Sequence, residues 1–199
     1  MNNMQCGNPA CECHNRLPRV LALDVSADST GVALPDGSTF VIKAPKPAGK
    51  KRTLRDDLAR MMHAADKIDE ILIYQQVDLC VIEDYAFAIK STAAHRLAEI
   101  GGIYRLAVER AGVPITLVNV MHLKMYAGGS GKADKSALAT SALKRAGREF
   151  PTTDECDAWW LRAALLDRIG QPVVEMPESN RLALDRITWS FEQEEGASQ

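Results

Sequence analysis

Four carboxylates occupy positions where a carboxylate is hard to place. Asp24 sits inside RVLALDVSADSTGVAL, an otherwise apolar, strand-like run, and Glu83 closes the apolar stretch LCVIE. An unpaired carboxylate withdrawn from water costs several kcal/mol or takes up a proton. Asp154 and Asp157 are spaced i, i+3 in DECDAWWLRAALLDRIG, which places both on one face of a helix near its start. Clustered carboxylates repel one another unless a cation neutralises them, and their oxygens are the hard donors that magnesium and manganese prefer. Acids at two neighbouring strand ends and one helix start can hold two such ions roughly 4 Å apart, an arrangement that clamps both oxygens of a phosphodiester undergoing hydrolysis. Each acid alone also admits a plainer role: a cap on the Ser-Ala-Asp-Ser turn for Asp24, a lysine partner for Glu83, a favourable helix N-terminus for Asp154, and plain surface for Asp157.

The elements that must position these acids follow from hydrophobic period and turn residues. Arg19 to Asp24 reads as a buried strand, and TGVAL and STFVI on either side of Pro35-Asp36-Gly37 read as a hairpin. Thr53 is set to cap a long helix whose apolar positions Leu54, Leu58, Met61, Met62, Ala65, Ile68, Ile71 and Leu72 should face the sheet. DLCVIED is the next buried strand, ending in acids. A helix from about Ser91 to Ala111, the strand VPITLVN, a helical turn around Met121 to Tyr126 and a helix over Lys135 to Ala146 capped by Asp134 complete the middle. After the DECDAWW helix, the segment beyond Pro172 reads as an extended stretch and one short amphipathic helix carrying Leu182, Leu184, Ile187 and Trp189, then an acidic tail. Three strands, helix, strand, helix, strand and then helices imply a mixed sheet with helices on both faces.

A chain of 199 residues suits one domain, organised as an extension over 1–18, a core over 19–170 and a second extension over 171–199. It carries no apolar run of membrane-spanning length, and its opening lacks the apolar core of a secretory signal, so a cytoplasmic location is expected, with no membrane partner. Five cysteines, with Cys80 and Cys156 isolated, do not form a disulfide framework. Cys6, Cys11, Cys13 and His14 offer four ligands of the type a structural Zn2+ takes, although no C-x-x-C spacing is present and a plain tail is the alternative. The formal net charge of −2 does not announce a polyanionic partner. From Lys43 to Arg55, however, the loop KAPKPAGKKRTLR, including Lys50, Lys51 and Arg52, has no acid and suits either phosphate contact or simple solvation.

In order along the chain, ALDVSADSTGVAL, VIEDYAF, AEIGGIYRLAVERAGVPI, LKMYAGGSGKADKSAL and DECDAWWLRAAL resemble successive motifs of the RuvC family of Holliday junction resolvases. The resemblance runs from about Arg19 to Ile169 and implies an α/β, ribonuclease H-like fold: a mixed five-stranded sheet flanked by helices. It places Asp24, Glu83, Asp154 and Asp157 on the family's four catalytic acids, ligands of two Mg2+ or Mn2+ ions, with Asp24 bridging both. It also places Lys124 and Lys135 on two lysines that act near the scissile phosphate or on the DNA backbone, Lys135 as part of the catalytic set, and Gly102 on a helical glycine where a close partner approaches. Where family members carry Phe three residues after the catalytic Glu, this chain has Ala86, flanked by Tyr85 and Phe87. Either aromatic could stack on an unpaired base or simply pack in the core.

The resemblance implies a metal-dependent, structure-selective endonuclease acting as a homodimer on branched DNA, above all four-way junctions. Paired symmetric nicks would leave 5′-phosphate and 3′-hydroxyl ends, and Lys124, Lys132, Lys135 and the basic loop would contact phosphates. Two other classes are open to the sequence. One is a catalytically silent protein that binds branched DNA on the same fold. The other is a small-molecule kinase of the actin superfamily, for which this length leaves no second lobe.

Overall fold

The computed structural model describes residues 17–84 and 92–192. Its centre is a five-stranded sheet of order β3-β2-β1-β4-β5, comprising β1 (Val20–Val25), β2 (Ser29–Ala33), β3 (Thr39–Lys43), β4 (Leu79–Asp84) and β5 (Ile115–Asn119). The first three strands form an antiparallel meander, closed at β2–β3 by Pro35-Asp36-Gly37, where Gly37 takes φ of 88°. β4 then runs parallel to β1, and β5 parallel to β4, as two strands joined through crossover helices must. The expected mixed sheet is present.

Alternation along β1 and β4 sorts two cores. Leu21, Leu23, Val25, Cys80 and Ile82 face α1 (Leu54–Gln75) and α2 (Thr92–Arg110), whereas Val20, Ala22 and Val81 face α5 (Thr153–Arg168). The second core is the larger. Trp159, Trp160 and Tyr126 stack edge-to-face within it, and α3 (Val120–Gly128) and α4 (Lys135–Ala146) close it. Side-chain caps start the helices where the sequence signals them. Thr53 and Asp56 make a reciprocal capping box on α1, Asp134 caps α4, and Thr152 caps α5.

Two expectations are corrected. On α1 the buried face is Arg60, Ala64, Ile68 and Ile71, while Leu54, Leu58 and Met62 are exposed. Ile68 and Ile71 are buried and Met61 and Leu72 pack against the same core as expected, but part of that face is taken by the Arg60 guanidinium, which reaches the carbonyls of Ala27 and Arg96 and the Glu99 carboxylate. Beyond Pro172 there is no strand among the described residues and no continuous amphipathic helix. Instead α6 (Glu178–Arg181) and a 3-10 turn (Leu184–Arg186) follow. Asn180 donates to the Tyr126 carbonyl at 2.7 Å, tying α6 to α3, and the Trp189 indole donates locally to the Leu184 carbonyl at 3.0 Å. Leu184, Ile187 and Trp189 are buried in the larger core, but Leu182 points outward.

Candidate active site: four carboxylates around a lysine

The sheet register brings the first two acids together. β1 and β4 are paired from Val20–Leu79 to Leu23–Ile82, so the next residues, Asp24 and Glu83, stand side by side at the two strand ends. Both fall on the α5 side of the sheet, in phase with Ala22 and Val81. Parallel pairing of these two strands is therefore what makes two distant carboxylates neighbours.

The other two acids arrive on the N-terminus of α5, which is pressed against β2. A Cβ built on Gly31 would lie 2.0 Å from the Asp154 carbonyl oxygen, so only glycine admits this approach. Gly31 is itself paired with Asp24 across the β1–β2 ladder. Two residues earlier on the same face of β2, the Ser29 hydroxyl donates to Asp154 Oδ2 at 2.7 Å. On the outer side, Lys135 at the start of α4 places its Nζ 3.8 Å from both Asp154 Oδ1 and Asp157 Oδ2, and donates to Thr153 Oγ1 at 3.0 Å.

The electrostatics are those of an acid cluster short of positive charge. Burial raises the Asp24 carboxyl well above its ordinary range, and the charges of Glu83, Asp157 and Asp154 raise it further, against a smaller opposing effect of Lys135. Burial, then the Asp157 charge, pushes Glu83 up to about 7, while a hydrogen bond with Asp24 and the charges of Lys135 and Lys124 pull the other way. Asp157 is also raised, chiefly by burial, with Lys135 the largest opposing influence. Without a cation, the Asp24/Glu83 pair therefore holds protons more tightly than ordinary carboxyls do. Among the described residues no group of three or more His, Cys, Asp or Glu side chains is already arranged to hold a metal ion. The donor set is nonetheless all carboxylate oxygen, mutually repelling, with an ammonium between two of its members, which is the chemistry that suits a hard divalent cation.

The remaining expected residues divide. Lys124 is partly buried and close enough to act on Glu83 and Asp157; Lys132 is exposed in the loop before α4. Lys50 and Lys51 are exposed in the basic loop, but Arg52 is already engaged, with Asp28 at 3.0 Å and Asp57 at 3.5 Å. Arg96 also bonds both oxygens of Asp28, at 3.0 Å each, so Asp28 shapes the β1–β2 turn. Gly102 is exposed, and a Cβ there would meet nothing within 4 Å among the described residues, so none of them is the expected close partner. Tyr85, Phe87, Cys6, Cys11, Cys13 and His14 lie outside the described residues. Sequence reading missed Ser29 and Thr153. The signal for Ser29 was small residues two apart, Ser29 and Gly31, on the strand beside Asp24.

The sequence model described as crossover junction endodeoxyribonuclease RuvC matches residues 38–148, a span that contains Glu83 and Lys135 and stops short of Asp24 and Asp154. The chain is similar to the crossover junction endodeoxyribonuclease RuvC of Saccharopolyspora erythraea, 28% identical over 128 residues that cover 63% of this chain and 64% of that protein. It is 26% identical over 174 residues to the RuvC of Rhodococcus opacus, covering 82% of this chain and 92% of that protein. Among solved structures, Thermus thermophilus RuvC superposes with a TM-score of 0.61 at 18% identity, covering 80% of this chain and 99% of that one. The same protein in complex with Holliday junction substrate superposes with a TM-score of 0.61 at 17% identity, covering 81% and 100%. At such identities the likeness establishes the fold, a ribonuclease H-like sheet flanked by helices.

Proposed function

The chain belongs to the RuvC family of crossover junction endodeoxyribonucleases, and from that membership we propose that it is a divalent-metal-dependent nuclease that resolves Holliday junctions. The observation that carries this reading is the meeting of Asp24, Glu83, Asp154 and Asp157 at two strand ends and one helix start. These four acids would hold Mg2+ or Mn2+, whose role is to lower the barrier for in-line attack of water on the phosphodiester and to steady the departing 3′ oxygen. Cleavage in that sense leaves 5′-phosphate and 3′-hydroxyl ends.

The chain's own groups do the rest. On taking up the cations, Asp24 and Glu83 would release any proton they hold to solvent, leaving both carboxylates ionised as ligands. The Lys135 ammonium, more than half exposed, lies at the edge of the acid cluster, where it can meet a phosphate oxygen. Lys124, Lys132, Lys50 and Lys51 supply further phosphate contacts, whereas Arg52 first has to leave Asp28 and Asp57. Tyr85 or Phe87 stacks on a base freed at the junction centre. A four-way junction has two-fold symmetry, so paired symmetric nicks need two copies of the site, and the working form is a homodimer.

Synthetic four-way junctions incubated with the protein in magnesium test the reading. Paired nicks are expected from the wild type and none from Asp24→Asn or Glu83→Gln. Junction binding without nicks in either magnesium or manganese would overturn it in favour of a silent binding protein.

A further inference from the structure

We propose that Ser29 is a positioning residue for cation binding: its hydroxyl holds one oxygen of Asp154 so that the other is presented to the metal. This rests on the reading of Asp154 as a cation ligand. The two oxygens of Asp154 are in different surroundings. Oδ2 accepts from Ser29 Oγ at 2.7 Å, on the side of β2; Oδ1 faces outward, 3.8 Å from the Lys135 ammonium and 3.4 Å from Thr153 Oγ1. A carboxylate at a helix start otherwise turns freely about its last torsion and offers either oxygen. A hydrogen bond to one oxygen fixes the plane of the group, as outer-shell partners of metal-binding carboxylates do.

Ser29 is itself held. Ser26 Oγ donates to the Ser29 carbonyl, lies 3.0 Å from Ser29 Oγ, and accepts from the Ser29 amide at 3.1 Å. With the Ser26 amide bonded to the Ser29 carbonyl at 2.9 Å, the turn is closed before the strand begins. The bond to Asp154 is not required to hold α5 in place. That helix is capped by Thr152, whose side chain accepts from the Glu155 amide, and its backbone is seated against Gly31. The Ser29 bond therefore acts on the carboxylate rather than on the helix. A hydroxyl also suits the task because it orients the anion without neutralising it, whereas a lysine or arginine there would compete with the cation for the same charge.

The test is Mn2+ binding by titration calorimetry on the full chain freed of metal, paired with junction cleavage as a function of Mg2+. Ser29→Ala should raise the Mn2+ dissociation constant about tenfold and shift half-maximal Mg2+ for cleavage by a similar factor. Metal-free junction affinity and the unfolding midpoint in EDTA should stay near wild type, and Ser29→Thr, which restores the hydroxyl, should recover Mn2+ affinity. Wild-type Mn2+ affinity in Ser29→Ala, or no recovery in Ser29→Thr, overturns the proposal. Ser26→Ala gives an independent reading should Ser29→Ala fold poorly: weaker Mn2+ binding supports it and unchanged binding overturns it. Asp154→Asn separates the two levels, since normal Mn2+ binding in that variant would remove Asp154 from the ligand set itself.

Discussion

Replacing Glu83 with glutamine should make the metal-free protein more stable at pH 8 even as it abolishes cleavage. Burial and the Asp157 charge lift the Glu83 carboxyl from 4.5 to about 7. A folded-state pKa above the unfolded one means that the folded chain binds the proton more tightly. The carboxyl is then harmless to the fold below about pH 4.5, and its cost grows as pH rises through about 7. At 1.36 kcal/mol per pH unit that gap corresponds to a ceiling of about 3 kcal/mol. Because Glu83 titrates together with Asp24, the gain on substitution should be ~1–3 kcal/mol. Glutamine removes the charge and still offers an amide N–H to Asp24. Urea unfolding in EDTA at pH 4 and pH 8 reads this directly. The variant should match wild type at the lower pH, exceed it at the higher, and gain less than wild type from millimolar Mg2+. A variant no more stable than wild type at pH 8, or equally offset at both pH values, would refute the picture of a cluster strained by its own charge.

Other expectations follow from the same site and its supports. Gly31→Ala forces a methyl to within 2.0 Å of the Asp154 carbonyl oxygen and should cost about 1–3 kcal/mol or more while abolishing cleavage; unfolding and nicking assays on one preparation check both. Lys135→Met should lower the cleavage rate by about two orders of magnitude with only a small loss of junction affinity, measured by single-turnover kinetics alongside binding in EDTA. Tyr126→Phe removes a 3.0 Å hydrogen bond to the buried Asp167 carboxylate, which Arg181 also holds, and should cost about 1–3 kcal/mol in urea unfolding without changing the Mg2+ requirement. Trp189→Ala should cost about 3–5 kcal/mol, because the indole is buried in the larger core.

Most of the site was legible in the sequence because misplaced charge is a strong signal. Asp24 in an apolar strand and Glu83 at the end of another stood out against their surroundings, and parallel pairing of those strands puts them in contact. The caps at Thr53 and Asp134 were legible because they depend on neighbours within one turn. What escaped depends on distant partners. On α1 the buried face includes Arg60, held by the carbonyls of Ala27 and Arg96, and no helical period foretells a buried arginine. Leu54, Leu58 and Met62 kept the apolar period yet face outward. The segment around Trp189 looked amphipathic and helical, but it forms short turns, with hydrogen bonds from Asn180 and Trp189. Ser29 was unremarkable as a turn residue until Asp154, 125 positions later, was found beside it.

The burial of Trp189, Ile187 and Leu184 in the larger core also bears on how the chain folds. The hydroxyls of Thr116 on β5 and Ser190 lie 3.1 Å apart although 74 residues separate them in sequence. The core that backs the acid-bearing helix therefore contains side chains made after every acid of the site has been synthesised. Long-range closure of that kind slows folding, because the entropy of the intervening chain is lost before the contact returns anything. A nascent chain still short of residue 189 thus carries the full set of carboxylates without part of the larger core behind the sheet. The last part of the core to be synthesised belongs not to the acid cluster but to the packing behind it.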